Sequence, residues 1–232
     1  VIDRQALHQR VNCVKQQIEQ ACRRAGRDPS EVTLLPVSKT FGPDAIGAMV
    51  ELGFKRFGEN RLQEVAQKQP VLAEHDLQWV IIGHVQTNKA KEVAKYAREL
   101  QSLDRLALAQ ALHNRLVALD KTLDVLVQVK TSDEQTKSGV DPDELIDFLK
   151  ATAAYPSLKI KGLMTMAVFS PDTNAVRQCF KLLRQCQQAA IAANIEGAAF
   201  DRLSMGMSGD MEIAIEEGST EVRVGSAIFG AR

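Results

Sequence analysis

The 232-residue chain lacks several features that would assign it at once. It carries no charge excess, because 29 Lys and Arg balance 29 Asp and Glu. That removes the electrostatic footprint of a protein that binds nucleic acid or an acidic membrane. No apolar run reaches spanning length and no signal peptide opens the chain, so neither a membrane nor secretion is expected. The four cysteines, Cys13, Cys22, Cys179 and Cys186, form no CxxC pair and match no common zinc spacing. They read as free thiols on helices, which implies a reducing, cytoplasmic compartment and no metal. No linker, low-complexity stretch or charge block marks a boundary, so 1–232 is expected to be one domain. The glycine-rich turn of a dinucleotide-binding sheet is also missing, since Thr40-Phe41-Gly42-Pro43 follows the first apolar run.

What is present is alternation. Residues 1–26 predict an N-terminal helix, with Leu7, Val11, Val14, Ile18, Ala21 and Ala25 on one apolar stripe. Two arginines and Gly26 then form a stop. The stripe is under four heptads long, which favours packing on its own domain over pairing with another chain. Short apolar runs follow at 34–39, 54–58, 77–83, 100–103, 123–129, 158–166, 202–205 and 221–224. Amphipathic helices are expected between them at 43–52, 60–73, 88–97, 105–119, 142–153, 174–193 and 210–217. Eight strand–helix units, the last helix barely present, predict a (β/α)8 TIM barrel with an extra N-terminal helix.

In such a barrel, chemistry sits at the C-terminal ends of the strands. Those ends carry Lys39, Gly58-Glu59-Asn60, Gly83-His84, Lys130, Thr165-Met166 and two glycine-containing loops. If the first strand runs through Lys39, then Leu35, Val37 and Lys39 share one buried face. Burial pushes an ammonium towards the free amine, and an amine attacks an aldehyde to form a Schiff base. Loop seven, from Ser204 through Met207 and Ser208 to Gly209, and loop eight, Gly225-Ser226, occupy the places where these barrels bind phosphate through backbone N–H groups. Asp210 and Glu212 would oppose a phosphate if they turned inward. On the eighth strand Glu221, Arg223 and Gly225 alternate onto one face, so Arg223 faces a ligand if Gly225 does. Asn60 could hydrogen-bond that ligand or cap its own helix. His84 could serve as an acid or base, though a strand-end histidine is more often a hydrogen-bonded structural group.

The motifs VSKT around Lys39, FGEN at 57–60, IGHVQTNK at 82–89, KSG at 137–139, KGLM at 161–164, LSMGMSGDMEIAIEEGST at 203–220 and VRVGSAIFGAR at 222–232 resemble the pyridoxal-phosphate homeostasis protein family. The likeness runs from residue 34 onward. It implies a barrel like the N-terminal domain of alanine racemase, with pyridoxal 5'-phosphate held as a Schiff base on Lys39. It further implies a phosphate held by loops seven and eight, and Arg223 facing the pyridine nitrogen. Ser226 stands where many members have threonine, and either supplies a hydroxyl. The expected cofactor-binding set is therefore Lys39, Asn60, Ser204, Met207, Ser208, Arg223, Gly225 and Ser226, with no residue assigned a catalytic role. Lys137 and Lys161 are left without a role.

An arginine at the ring nitrogen leaves the cofactor a poor electron sink, which disfavours transamination and decarboxylation. Racemisation needs a second base on the opposite ring face. The only tyrosines, Tyr96 and Tyr155, fall at no predicted strand end, and no second domain is expected after 232. The favoured expectation is thus a monomeric protein of vitamin B6 homeostasis that holds pyridoxal 5'-phosphate, with apo-enzymes that need this cofactor as recipients. The alternatives are a pyridoxal-phosphate-dependent amino-acid racemase and a cofactor-free isomerase that binds phosphate.

Overall fold

A computed structural model describes residues 3–132, 134 and 138–230. Eight parallel strands form one sheet: β1 (Thr33–Pro36), β2 (Arg56–Glu59), β3 (Gln78–Ile81), β4 (Ala97–Leu103), β5 (Leu123–Gln128), β6 (Leu158–Met164), β7 (Arg202–Ser204) and β8 (Glu221–Val224). Each strand pairs with its neighbour in the chain, and β1 pairs with β8 in the register Leu35 to Arg223. A single bridge between Val37 and Gly58 joins β1 to β2 and closes the (β/α)8 barrel. The helices between strands are α2 (Pro43–Glu51), α3 (Leu62–Val71), α4 (Ala90–Tyr96), α5 (Leu106–Ala118), α6 (Leu145–Ala153), α7 (Thr173–Ala192) and α8 (Met211–Glu216); α9 (Ser226–Phe229) follows β8. Parallel strands buried on both faces need such crossovers, which is why the apolar runs between the amphipathic ones have strand length. No helix among the described residues is long and apolar enough to cross a membrane.

The N-terminal helix α1 (Arg4–Arg24) starts at Asp3, whose carboxylate accepts from the N–H of Ala6. It buries Leu7, Val11, Val14, Ile18 and Ala21 against α8 and α9. These last two helices have only six and four residues. They are too short to cover the β8 side of the barrel alone, and α1 supplies the missing layer. Each of its large apolar side chains contributes on the order of 1.5–3 kcal/mol by leaving water. Arg10 and Arg27 add hydrogen bonds to the carbonyls of Ile228, Ile215 and Ser219. All four cysteines are free and lie on α1 and α7.

The N-terminal end of the barrel is filled by charge. Arg56 and Arg202 both pair with Glu99 and Glu221, at 2.8–3.1 Å. β2 and β4 are not neighbours, nor are β4 and β7, so these side chains meet across the barrel interior. Burial alone would raise the Glu99 carboxyl. The hydrogen bonds and charge of Arg202, with the charge of Arg56, outweigh burial and hold Glu99 below the usual carboxylate range.

Candidate functional site

Lys39 lies beyond β1, not on it. The strand ends at Pro36, and a turn closed by the Phe41 N–H on the Ser38 carbonyl (3.0 Å) carries the lysine. The expected extension of the strand to residue 39 is thereby corrected. The side chain still reaches the barrel mouth, where it forms part of the wall of a cavity of about 430 Å³. Its ammonium has no hydrogen-bond or ion-pair partner among the described residues. Phe41, two residues on, stacks on Phe229 of α9 with ring centroids 4.8 Å apart, which ties the turn to the last helix.

The opposite part of the cavity is built by loops seven and eight. Met207, Ser208, Gly209, Gly225 and Ser226 all line it. Gly206 has φ +98°, and a Cβ there would come within 2.6 Å of the Ala214 Cβ. Glycine therefore lets loop seven turn tightly onto α8. The Arg223 N–H donates to the Gly206 carbonyl at 2.9 Å, which lays the loop beside β8. Ser208 Oγ accepts from the Ala227 N–H at 3.4 Å and links the two loops. The N–H groups of Ser208, Gly209 and Ser226 donate to no acceptor among the described residues. Asp210 turns its carboxylate onto the Met207 N–H at 2.6 Å, so that donor is occupied. Glu212 points outward to Arg24 of α1.

Arg223 lines the cavity while being only 3% exposed. Its Nη1 donates to Ser204 Oγ and its Nη2 to the Thr165 carbonyl, each at 2.8 Å. Burial pushes its pKa down to about 10, with Glu221 and Asp210 opposing the shift, so it stays a cation at neutral pH. Ser204 is not a wall residue. It is fully buried behind Arg223, and its hydroxyl donates to Gln101 Oε1 at 2.6 Å.

Asn60 does line the cavity, but it does not cap α3. That helix begins at Leu62 with Arg61 in the cap position and no side-chain cap. The Asn60 backbone instead packs so closely on Gly83 that a Cβ at 83 would lie 2.3 Å from its carbonyl oxygen. His84 is half-exposed, 3.3 Å from Ser138 Oγ and 3.7 Å from Asp104, and is not part of the wall. Lys161 sits half-buried within β6 away from the cavity, and Lys137 lies outside the described residues. Tyr96 and Tyr155 immediately precede β4 or lie shortly before β6, at the far end of the barrel. Lys39 and Arg223 are the titratable walls among the described residues. Phe41, Ile82 and Met166 add to the apolar wall; Met166 is among the strand-end residues named from the sequence, whereas Phe41 and Ile82 are not. A strand-end position was the available signal for Ile82 and Met166.

Residues 2–232 match the family model described as alanine racemase, N-terminal domain. Over 224 residues the chain is 39% identical to the pyridoxal phosphate homeostasis protein of Aquifex aeolicus, covering 97% of each. It is 41% identical over 222 residues to the protein of that name from Escherichia coli strain K12, covering 94% of each. Among solved structures, PipY of Synechococcus elongatus PCC7942 with PLP bound superposes with a TM-score of 0.81 at 31% identity, over 92% of this chain and 100% of that one.

Proposed function

Because the chain belongs to the pyridoxal phosphate homeostasis protein family, whose barrel is that of the alanine racemase N-terminal domain, we propose that it binds pyridoxal 5'-phosphate reversibly through Lys39 and serves as an intracellular store or donor of that cofactor. The observation that carries this reading is a convergence on one cavity. A lysine with no partner among the described residues, three residues whose backbone N–H groups have none there either, and a buried arginine all line it. Each fits one part of a phosphorylated pyridine aldehyde. The N–H groups of Ser208, Gly209 and Ser226, with the Ser226 hydroxyl, suit the phosphate. Arg223 suits the ring nitrogen as an acceptor, and the Lys39 amine suits the aldehyde carbon. Phe41, Ile82 and Met166 supply apolar walls for the ring. A cavity of about 430 Å³ falls within the usual range for small-ligand sites, about 300–1,000 Å³.

Lys39 would hold the cofactor by condensing its amine with the aldehyde carbon, the aldehyde oxygen leaving with the two amine hydrogens as water. When bound, the cofactor supplies an electron sink, which an arginine at its ring nitrogen weakens. Arg223 is the only cavity group besides Lys39 that titrates, among the described residues, and it remains a donor. A base for the second ring face is therefore not provided by the described walls, which supports holding over turnover. Apo-enzymes that need the cofactor are the proposed recipients.

Mixing the protein with pyridoxal 5'-phosphate should produce a visible absorption band, and borohydride should fix the label on Lys39 in a peptide map. Lys39→Ala should lose both. Loaded protein should activate an apo-enzyme that needs the cofactor, and should leave D- and L-alanine unchanged. Racemisation at about 1–10³ per second, the common enzyme range, would replace the store with a racemase. A label on another residue would overturn the assignment of Lys39.

A further inference from the structure

The turn that carries Lys39 is strained and is held from one side. Thr40 has φ +68°, a left-handed conformation that a β-branched residue rarely adopts. Its N–H donates to Glu64 Oε2 at 2.6 Å. That same oxygen accepts from Lys68 Nζ at 3.0 Å. The Lys68 ammonium also donates to the Ser38 carbonyl at 3.0 Å and to Glu59 Oε1 at 2.7 Å, so all three of its hydrogens are used. Glu59 Oε1 accepts in addition from Ser38 Oγ at 2.6 Å. The residues on both sides of Lys39, Ser38 and Thr40, are thus bound to one cluster from β2 and α3, while the Lys39 ammonium is bound to nothing described.

This cluster is a costly way to hold a turn. Glu59 is fully buried, Lys68 is 6% exposed, and Glu59 Oε2 has no partner among the described residues. A buried ion pair is weak evidence for stability, and its best use is to fix a geometry. None of the three side chains lines the cavity, so none can touch a ligand there. What they fix is the backbone from which Lys39 extends.

We propose that Glu59, Lys68 and Glu64 are positioning residues for Lys39, locking the turn at Ser38–Thr40 so that the amine meets an aldehyde in the cavity. The inference rests on the Schiff-base reading above. It assigns the cluster to covalent capture of a phosphorylated aromatic aldehyde and leaves non-covalent binding to loops seven and eight.

Two ligands separate the roles. Pyridoxal 5'-phosphate can condense with Lys39, whereas pyridoxine 5'-phosphate has an alcohol in place of the aldehyde and can only bind. Calorimetry gives the affinity for the alcohol, and mass spectrometry after borohydride gives the rate of adduct formation. Lys68→Met and Glu64→Ala should slow adduct formation tenfold or more and leave the alcohol's affinity within about twofold. Glu64→Gln keeps an oxygen facing Thr40 and Lys68, and should retain more of the rate than Glu64→Ala. Thr40→Gly removes the penalty of the left-handed turn and should restore part of the rate in the Glu64→Ala protein. This comparison needs no change at the buried lysine, should Lys68→Met fail to fold. Unchanged adduct rates in Glu64→Ala, or an equal loss of rate and alcohol affinity, would overturn the inference. No adduct with the unaltered protein would overturn the Schiff-base reading itself, and this inference with it.

Discussion

Arg223 Nη1 donates to Ser204 Oγ at 2.8 Å, and Ser204 Oγ in turn donates to Gln101 Oε1 at 2.6 Å. Gln101 Nε2 then donates to the carboxylates of Glu99 and Glu221. Every bond in this series runs in one direction, from guanidinium to carboxylate. The proposed cofactor site at one end of the barrel is thereby joined, through two neutral side chains, to the ion-paired cluster at the other. Such a buried network holds its members in one arrangement.

Ser204→Ala should therefore act well beyond the loss of one hydroxyl. It leaves a guanidinium N–H and Gln101 Oε1 buried without partners. An unsatisfied buried polar group costs about 1–3 kcal/mol. The urea midpoint should fall with an unchanged slope, and affinity for pyridoxal 5'-phosphate should fall several-fold as Arg223 loses its orientation. A variant as stable as the parent would show that the hydroxyl holds nothing.

Acid should weaken the far end of the barrel through Glu99. Its folded pKa lies below the ordinary value of 4.5, so the carboxylate contributes stability that is present above that value. This contribution is lost as pH falls through the lower, folded value. Glu99→Gln removes the charge at every pH and leaves Arg202 and Arg56 with one carboxylate fewer. Breaking a buried pair costs about 3–5 kcal/mol, and the partial exposure of both arginines favours the lower end. The stability gap between parent and variant should be largest near pH 7 and narrow towards pH 3 in denaturation curves. A gap that does not change with pH would exclude this linkage.

The barrel was legible in the sequence because most of its strands are apolar runs between amphipathic helices, and β8 appears at the expected 221–224. β4 spans Ala97–Leu103, three residues longer at its start than the apolar run at 100–103. Its early residues include Glu99, which is buried for its partners Arg56 on β2, Arg202 on β7 and Gln101 on β4 itself, and looks like helix or loop from its neighbours alone. The trace it left is period two: Glu99 and Gln101, Arg202 and Ser204, Glu221 and Arg223 each point one way along a strand. The turn at Lys39 was hidden for a related reason. Ser38 gives its carbonyl and hydroxyl to Lys68 and Glu59, 30 and 21 residues away, and no local pattern shows such partners.

Gly206→Ala should damage loop seven without touching any ligand group. A Cβ would lie 2.6 Å from the Ala214 Cβ and 3.0 Å from the Met211 Cα, at φ +98°. Either α8 or the loop must move. Overpacking of this kind costs about 1–3 kcal/mol. The loop that presents Ser208 and Gly209 should shift with it, so the thermal midpoint and the affinity for inorganic phosphate should fall together. Loss of stability with unchanged phosphate affinity would place the anion elsewhere.

Gly225 offers the sharpest test of the phosphate position because the site has room for a side chain. A Cβ there would lie 3.3 Å from the Val37 carbonyl oxygen and 3.5 Å from the Val37 Cβ, close but without a severe clash. The backbone φ is −112°, which any residue adopts. Gly225→Asp and Gly225→Asn should both fold and differ mainly by one charge at the cavity wall. Two like charges about 4 Å apart repel by about 4 kcal/mol at an effective dielectric constant near 20. Screening at the open mouth reduces that, and a tenfold loss of affinity needs only about 1.4 kcal/mol. Gly225→Asp should therefore bind pyridoxal 5'-phosphate at least tenfold more weakly than Gly225→Asn. For pyridoxal, which has the aldehyde and ring but no phosphate, the two variants should match. The gap should shrink in high salt. Equal affinities of the two variants for the phosphorylated ligand would remove loop eight from the phosphate site. An equal gap for both ligands would show that the carboxylate acts on Lys39 or Arg223 in place of the phosphate.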